Sequence, residues 1–161
     1  MTMPPRTTWL PGAAADDAAS TRPRLSANEL ELTELILPEQ ANHYGTLFGP
    51  NGLAMLAKAA FLVATRYTRQ SVVMAAARQV DFLAPVPVGA LLRLHARVTR
   101  VGRRSLSVQV LASLDTAPGI RADEVLRGEF EMVAVDEAGR SCAVQVPDSV
   151  ERLPFAAPAA R

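Results

Sequence analysis

The side chains best able to do chemistry gather in two short stretches. The first is a polar loop over residues 39–49 that carries Asn42, His43, Tyr44, Gly45 and Thr46. An unperturbed histidine titrates near ~6.5, so His43 has the range of a general base, and it is equally at home as a solvated loop residue. Asn42 can shape a turn or cap the approach to a helix. The second stretch is Arg103-Arg104-Ser105, placed at a turn. Guanidinium groups match phosphate in charge and bidentate geometry, and they also suit a solvated hairpin rim. Lys58 is the only lysine, and on a helix it either reaches solvent or faces an anion. Asp81 closes a strand and can serve turn chemistry or a salt bridge. Cys142 is the only cysteine, which excludes an intramolecular disulfide, and it has no evident activating partner. Two histidines, His43 and His95, show no metal-ligand spacing with carboxylates, so no metal site is expected.

The elements that must position these groups follow from periodicity. Residues 30–37 read as a strand that Pro38 ends. Pro50 sits where a helix accepts proline, in its first turn. Leu53, Leu56, Ala57, Ala60, Phe61 and Ala64 recur at helical spacing, with Met55 and Leu62 apolar on the other side. Asn51, Lys58 and Thr65 form one narrow polar seam, and the pattern predicts a helix buried on nearly every side. Ser71 to Ala77 reads as a short apolar strand. Leu92, Leu94, Ala96 and Val98 alternate with polar residues, as do Leu106, Val108, Val110 and Ala112 after a turn at residues 101–103. Residues 125–135 form a last strand with Leu126, Phe130, Met132 and Ala134 on one face. Strand, helix and four strands predict an α+β fold, an antiparallel sheet wrapped around one long central helix. Free sheet edges favour association with a second subunit.

Bulk properties set the frame. The 161 residues, 49% hydrophobic and 20% charged, suit one globular domain. A formal net charge of +1 offers no broad field for nucleic acid or a membrane surface. Proline and alanine runs predict a flexible leader over 1–28 and a flexible tail over 147–161, with the domain at 29–146. No stretch reads as a signal peptide or as the ~18 apolar residues of a membrane span, so the cytoplasm is the expected compartment.

Four ordered blocks carry a resemblance. They are residues 42–49 (NHYGTLFG) before an alanine-rich helix, 80–89 (VDFLAPVPVG), 97–105 (RVTRVGRRS) and 130–136 (FEMVAVD). In order and spacing they resemble the hotdog-fold acyl-CoA thioesterases, of the cytosolic acyl-CoA hydrolase type. The resemblance implies hydrolysis of an acyl-CoA thioester, with CoA present only as part of the substrate and no other cofactor. It implies a site between two subunits of a dimer, which can build further into a tetramer or hexamer. Backbone N–H groups around Phe48 and Gly49 would hold the thioester oxygen at the helix N-terminus. Asn42 would orient water or the carbonyl, and Arg103, Arg104 and Ser105 would lie near the CoA nucleotide. The family's helix carboxylate aligns with Ala57, which can neither attack nor take a proton. Pro50 stands where the family often has a second glycine. His43 or Asp81 would then be the replacement base. The second reading is an acyl-CoA-binding or sensing protein without hydrolysis. Hydratase chemistry ranks last, because its helix histidine-aspartate pairing is absent.

Overall fold

In the computed structural model, residues 25–114, 124–148 and 153 are described. The chain runs β1 (Glu29–Leu35), a short 3-10 turn (Pro38–Gln40), α1 (Gly49–Thr68), β2 (Val72–Phe82), β3 (Leu91–Val101), β4 (Ser105–Leu114) and β5 (Glu124–Ala134). The leader before residue 25 lies outside the described residues, as does most of the tail after 148.

All five strands form one antiparallel sheet in the order β1-β3-β4-β5-β2. The period-two pattern turns Leu92, Leu94, Ala96 and Val98 of β3 to one face, with Leu106, Val108, Val110 and Ala112 of β4 and Leu126, Phe130, Met132 and Ala134 of β5. The helix lies across that face and packs against every strand. Ala59, Ala60 and Ala64 are fully buried, and their small side chains let α1 approach closely. Gly128 serves the same end from the sheet. A Cβ there would stand 2.7 and 2.9 Å from ring atoms of Phe130, whose side chain is itself buried.

The expected fold is therefore present, with two corrections. The first concerns α1. It buries Gly52, Met55, Leu56, Ala59, Ala60, Val63, Ala64 and Tyr67, but Ala54, Lys58, Phe61, Leu62 and Arg66 are exposed. Within one chain a sheet can cover only one side of a helix. The apolar pattern predicted burial on nearly every side, yet the open side carries Phe61 and Leu62, and of the polar seam only Lys58 is exposed while Asn51 and Thr65 are half-buried. The second concerns β2, which is 11 residues long and runs on to Phe82. It is an edge strand, with Val73 and Met74 about half exposed (48% and 49%) and Ala75 to Gln79 exposed. Two register shifts, between Met74 and Ala76 and between Ala77 and Gln79, bulge it against β5 and break the alternation. The other edge, β1, is guarded by ion pairs of Arg93 with Glu31 and Arg97 with Glu29.

Beyond β5 the chain turns back over the C-terminal end of α1. Cys142 N–H donates to Ala134 and Val144 N–H to Arg103. The Gln70 side chain donates to the Ala143 carbonyl and accepts from Gln145 N–H. Leu153 N–H reaches the Tyr67 hydroxyl at 3.1 Å.

The Gly128–Phe130 contact gives a direct test of the packing. Gly128→Ala should cost about 1–3 kcal/mol, because a buried ring must move to admit the methyl group. Urea denaturation checks this, and an unchanged midpoint would remove Gly128 from the packing argument.

Candidate functional site

The loop over residues 41–48 is shaped from within by Asn42. Its Oδ1 accepts from Tyr44 N–H (2.9 Å), Thr46 N–H (3.3 Å) and the Thr46 hydroxyl (3.2 Å). Its backbone N–H donates to Thr46 and its carbonyl accepts from Gly45, which adopts φ 74° at the tip. Asn42 therefore builds an Asx-type turn, and its carboxamide oxygen is fully engaged by its own loop. His43 and Tyr44 project at the tip, both exposed, with ring centroids 3.9 Å apart.

The loop is tied to the segment that leaves β2. Leu47 N–H donates to Val86 at 2.8 Å, Val88 N–H donates to Gly45, and Thr46 bridges Pro87. The first two sequence blocks thus meet at one end of the molecule. Phe82, the last residue of β2, lies over the start of α1, 3.8 Å from where a Gly49 Cβ would stand. An open pocket of about 350 Å³ adjoins this contact, lined among others by Leu47, Gly49, Phe82, Ala84, Val86 and Leu126.

Donors at the helix start are few. Phe48 N–H is engaged by the Gln40 carbonyl at 2.9 Å. Pro50 has no N–H, and Asn51 and Gly52 both donate back to the Phe48 carbonyl. Gly49 alone keeps an N–H with no partner among the described residues. Of the two expected oxyanion donors, only Gly49 keeps a free N–H, at the positive end of the helix dipole.

The remaining candidates fall elsewhere. Lys58 is ion-paired with Glu34 of β1, so that flank of α1 faces β1. Ala57 lies about 100° away around the helix and is half-buried, packed against the core. Asp81 points to the opposite sheet face from Phe82, and its carboxylate accepts from Arg127 at 2.7 Å and from Gln79 at 3.0 Å. The Arg127 hydrogen bond, then that of Gln79, holds its pKa below the usual carboxylate range. An ion-paired carboxylate on the far face is not available to the Gly49 loop.

Arg103, Arg104 and Ser105 sit at the other end of α1. The Arg104 carbonyl accepts from Ala134 N–H, and its guanidinium donates to the Ser141 Oγ at 3.3 Å. Ser105 presents its carbonyl to Gly102. Arg103 lines a separate open cavity of about 770 Å³ with Arg69, Gln70, Val144, Pro147 and Leu153. A helix of 20 residues spans roughly 30 Å, so one chain does not bring this hairpin to Gly49. Sequence reasoning missed Phe82 as a site wall and Gln40 as the acceptor that occupies Phe48. Phe82 stood in the second block, whose contact with the first was the available signal.

Among the described residues no cluster of histidine, cysteine or carboxylate could hold a metal ion, and no helix is long and apolar enough to cross a membrane.

Comparison with known proteins agrees with this geometry. A sequence model of the thioesterase superfamily matches residues 44–116. An uncharacterized acyl-CoA thioester hydrolase of Zymomonas mobilis is 36% identical over 128 residues, covering 80% of this chain and 85% of that one. The acyl-CoA thioester hydrolase YciA of Escherichia coli is 28% identical over 133 residues, covering 79% and 98%. Among solved structures, an acyl-CoA hydrolase of Staphylococcus aureus bound to butyryl coenzyme A superposes with a TM-score of 0.70 at 27% identity, covering 74% and 73%. A hexameric acyl-CoA thioesterase superposes with a TM-score of 0.70 at 33% identity, covering 80% of each chain. Sequence and architecture lead to the same place: the chain belongs to the thioesterase superfamily, among the hotdog-fold acyl-CoA thioester hydrolases.

Proposed function

We propose that the chain hydrolyses acyl-CoA thioesters, as a homo-oligomer and with a weakened catalytic apparatus. The observation that carries this reading is the free Gly49 N–H at the start of α1, beside an apolar pocket, in a chain whose relatives are named acyl-CoA hydrolases. The thioester oxygen would accept that N–H, and the helix field would favour the charge that develops when water adds. The C–S bond then breaks, giving the carboxylic acid and the CoA thiol. A missing oxyanion donor costs about 10²–10³ in rate, and here Pro50 and the engaged Phe48 leave one donor.

The general base is the second weakness. The Staphylococcus aureus hydrolase has been solved with an asparagine, an aspartate and a threonine each changed to alanine. The aspartate lies fifteen residues after that asparagine and the threonine thirty-two after it. Counted from Asn42, these positions are Ala57 and Met74. Met74 pairs with the core-facing Met132, so it shares the inner face of the sheet. Both polar positions are apolar here. That observation favours the second reading, an acyl-CoA-binding or sensing protein without hydrolysis. His43 carries the one imidazole of the loop, and it would act as base on a water at the loop tip.

Assembly rests on the open side of the molecule. Phe61 (43% exposed) on α1 and Val73 and Met74 on β2 leave apolar surface and an unpaired strand edge on one flank. A second copy pairing along β2 would cover both. The arginine hairpin that meets the Gly49 loop would then belong to the other copy.

Three outcomes are expected. Light scattering at micromolar protein should give a multiple of the 17.2 kDa chain, and Met74→Glu should shift it to smaller species; a monomeric wild type would refute assembly. Calorimetry should show CoA binding weakened by about 1–3 kcal/mol in the double variant Arg103→Ala, Arg104→Ala, and an unchanged affinity would remove the hairpin from the site. In steady-state thiol release, wild type should be slow and Ala57→Asp faster by on the order of 10²-fold. Tight binding with no thiol release would establish the binding reading. A fast wild type with a slower, folded Ala57→Asp would overturn the missing-carboxylate account.

A further inference from the structure

We propose that Gln70, at the exit of α1, is a positioning residue for CoA: it holds the segment 142–146 as a strut against Arg103 and so fixes the arginine hairpin. This rests on the reading of that hairpin as a CoA phosphate contact. The helix ends where Arg69 adopts a left-handed conformation (φ 53°), with its N–H donating to the Thr65 carbonyl at 2.8 Å. Thr68 is buried and locks the exit. Its hydroxyl donates to the Ala64 carbonyl at 2.8 Å and accepts from Gln70 N–H at 3.3 Å. Gln70 thus leaves the helix with its direction set, and its carboxamide meets the returning chain. Oε1 accepts from Gln145 N–H at 2.7 Å, and Nε2 donates to the Ala143 carbonyl at 3.2 Å. One primary amide supplies both a donor and an acceptor, as a neighbouring strand would.

The residue between those two faces the other way. Val144 N–H donates to the Arg103 carbonyl at 2.9 Å, and its side chain packs against the core. Just upstream, Cys142 N–H is tied to the Ala134 carbonyl, and the Ser141 Oγ accepts from Arg104. Gly102 N–H closes the hairpin turn on the Ser105 carbonyl at 2.7 Å. The backbone bonds of Ala134 to Arg104 and of Val144 to Arg103 attach its tip to the rest of the molecule. The second of these depends on the strut. Both ends of the Gln70 carboxamide are engaged by the strut, so Gln70 acts through Arg103 and not on the ligand. A hairpin in place for only a fraction of the time binds with an affinity lowered by that fraction. Ordering it at the moment of binding draws on the same binding energy.

The test is a coupling cycle on the full chain, read by calorimetry with CoA. Gln70→Leu keeps the bulk and removes both bonds. It should weaken CoA binding about three- to tenfold, the loss expected when the hairpin is in place roughly a third to a tenth of the time. In the double variant Arg103→Ala, Arg104→Ala the guanidinium groups are gone, and adding Gln70→Leu there should change the affinity by less than about twofold. A substitution that merely loosened the fold would add its full loss in both backgrounds. Gln70→Glu keeps the acceptor for Gln145 N–H but sets a carboxylate oxygen against the Ala143 carbonyl, and it should behave as Gln70→Leu does. Melting temperature confirms that each variant is folded, and either one alone suffices. Equal losses in the two backgrounds, or an unchanged CoA affinity in a folded Gln70 variant, would overturn the positioning role. An arginine double variant that binds CoA as wild type does, or a wild type that does not bind CoA, would instead defeat the hairpin reading, and the positioning role with it.

Discussion

The hydrogen bond from Leu47 N–H to the Val86 carbonyl holds together two pieces of chain that are thirty-nine residues apart. On one side of it is the loop that Asn42 folds on itself, and on the other is the exit from β2. Because the two are tied, the chain enters α1 directly under Phe82, whose ring lies at ordinary contact distance from where a Gly49 Cβ would be. The pocket and the place of the Gly49 N–H beside it depend on this tie. The same tie stiffens the loop by giving its backbone groups partners outside the loop itself.

The helix shows how one sequence feature serves two surroundings. Its small and apolar residues let the sheet close on one side, and its Phe61 and Leu62 lie on the side the sheet cannot reach. An apolar side chain costs little at an interface and is tolerated, singly, in water. The cluster of such side chains beside an unpaired strand edge is a different matter, since it leaves both hydrocarbon and backbone hydrogen-bonding groups uncovered.

What could be read from the sequence was what depends on local period. β3, β4 and β5 alternate because one face is core and the other solvent, so each was legible as a strand, while the sheet order was not. β2 was read too short because two bulges and its edge position replace alternation with a mixed run from Met74 to Gln79. The helix was placed by Pro50 and its spacing, but composition cannot distinguish a residue buried by its own sheet from one left for another surface. At the candidate site, the block from Asn42 to Gly49 forms the loop that leads into α1, as Pro50 and the helical spacing after it suggested. Which of its groups remain free was not legible, because the partners of Phe48 N–H and of the Asn42 carboxamide oxygen are set by how the loop closes. Asp81 and Phe82 are neighbours in sequence, yet strand geometry sends one to the arginine on the outer face and the other to the helix.

The bulges in β2 have a consequence for growth. A straight apolar edge strand can accept neighbour after neighbour and template a fibre. Two extra residues within a few positions bend the ribbon and raise its local twist, so the bare hydrogen-bonding groups no longer lie on one line. A strand arriving there fits in one register and over a limited length. The curvature thus acts as a stop, turning a sticky edge into one that favours closure over open-ended polymerisation.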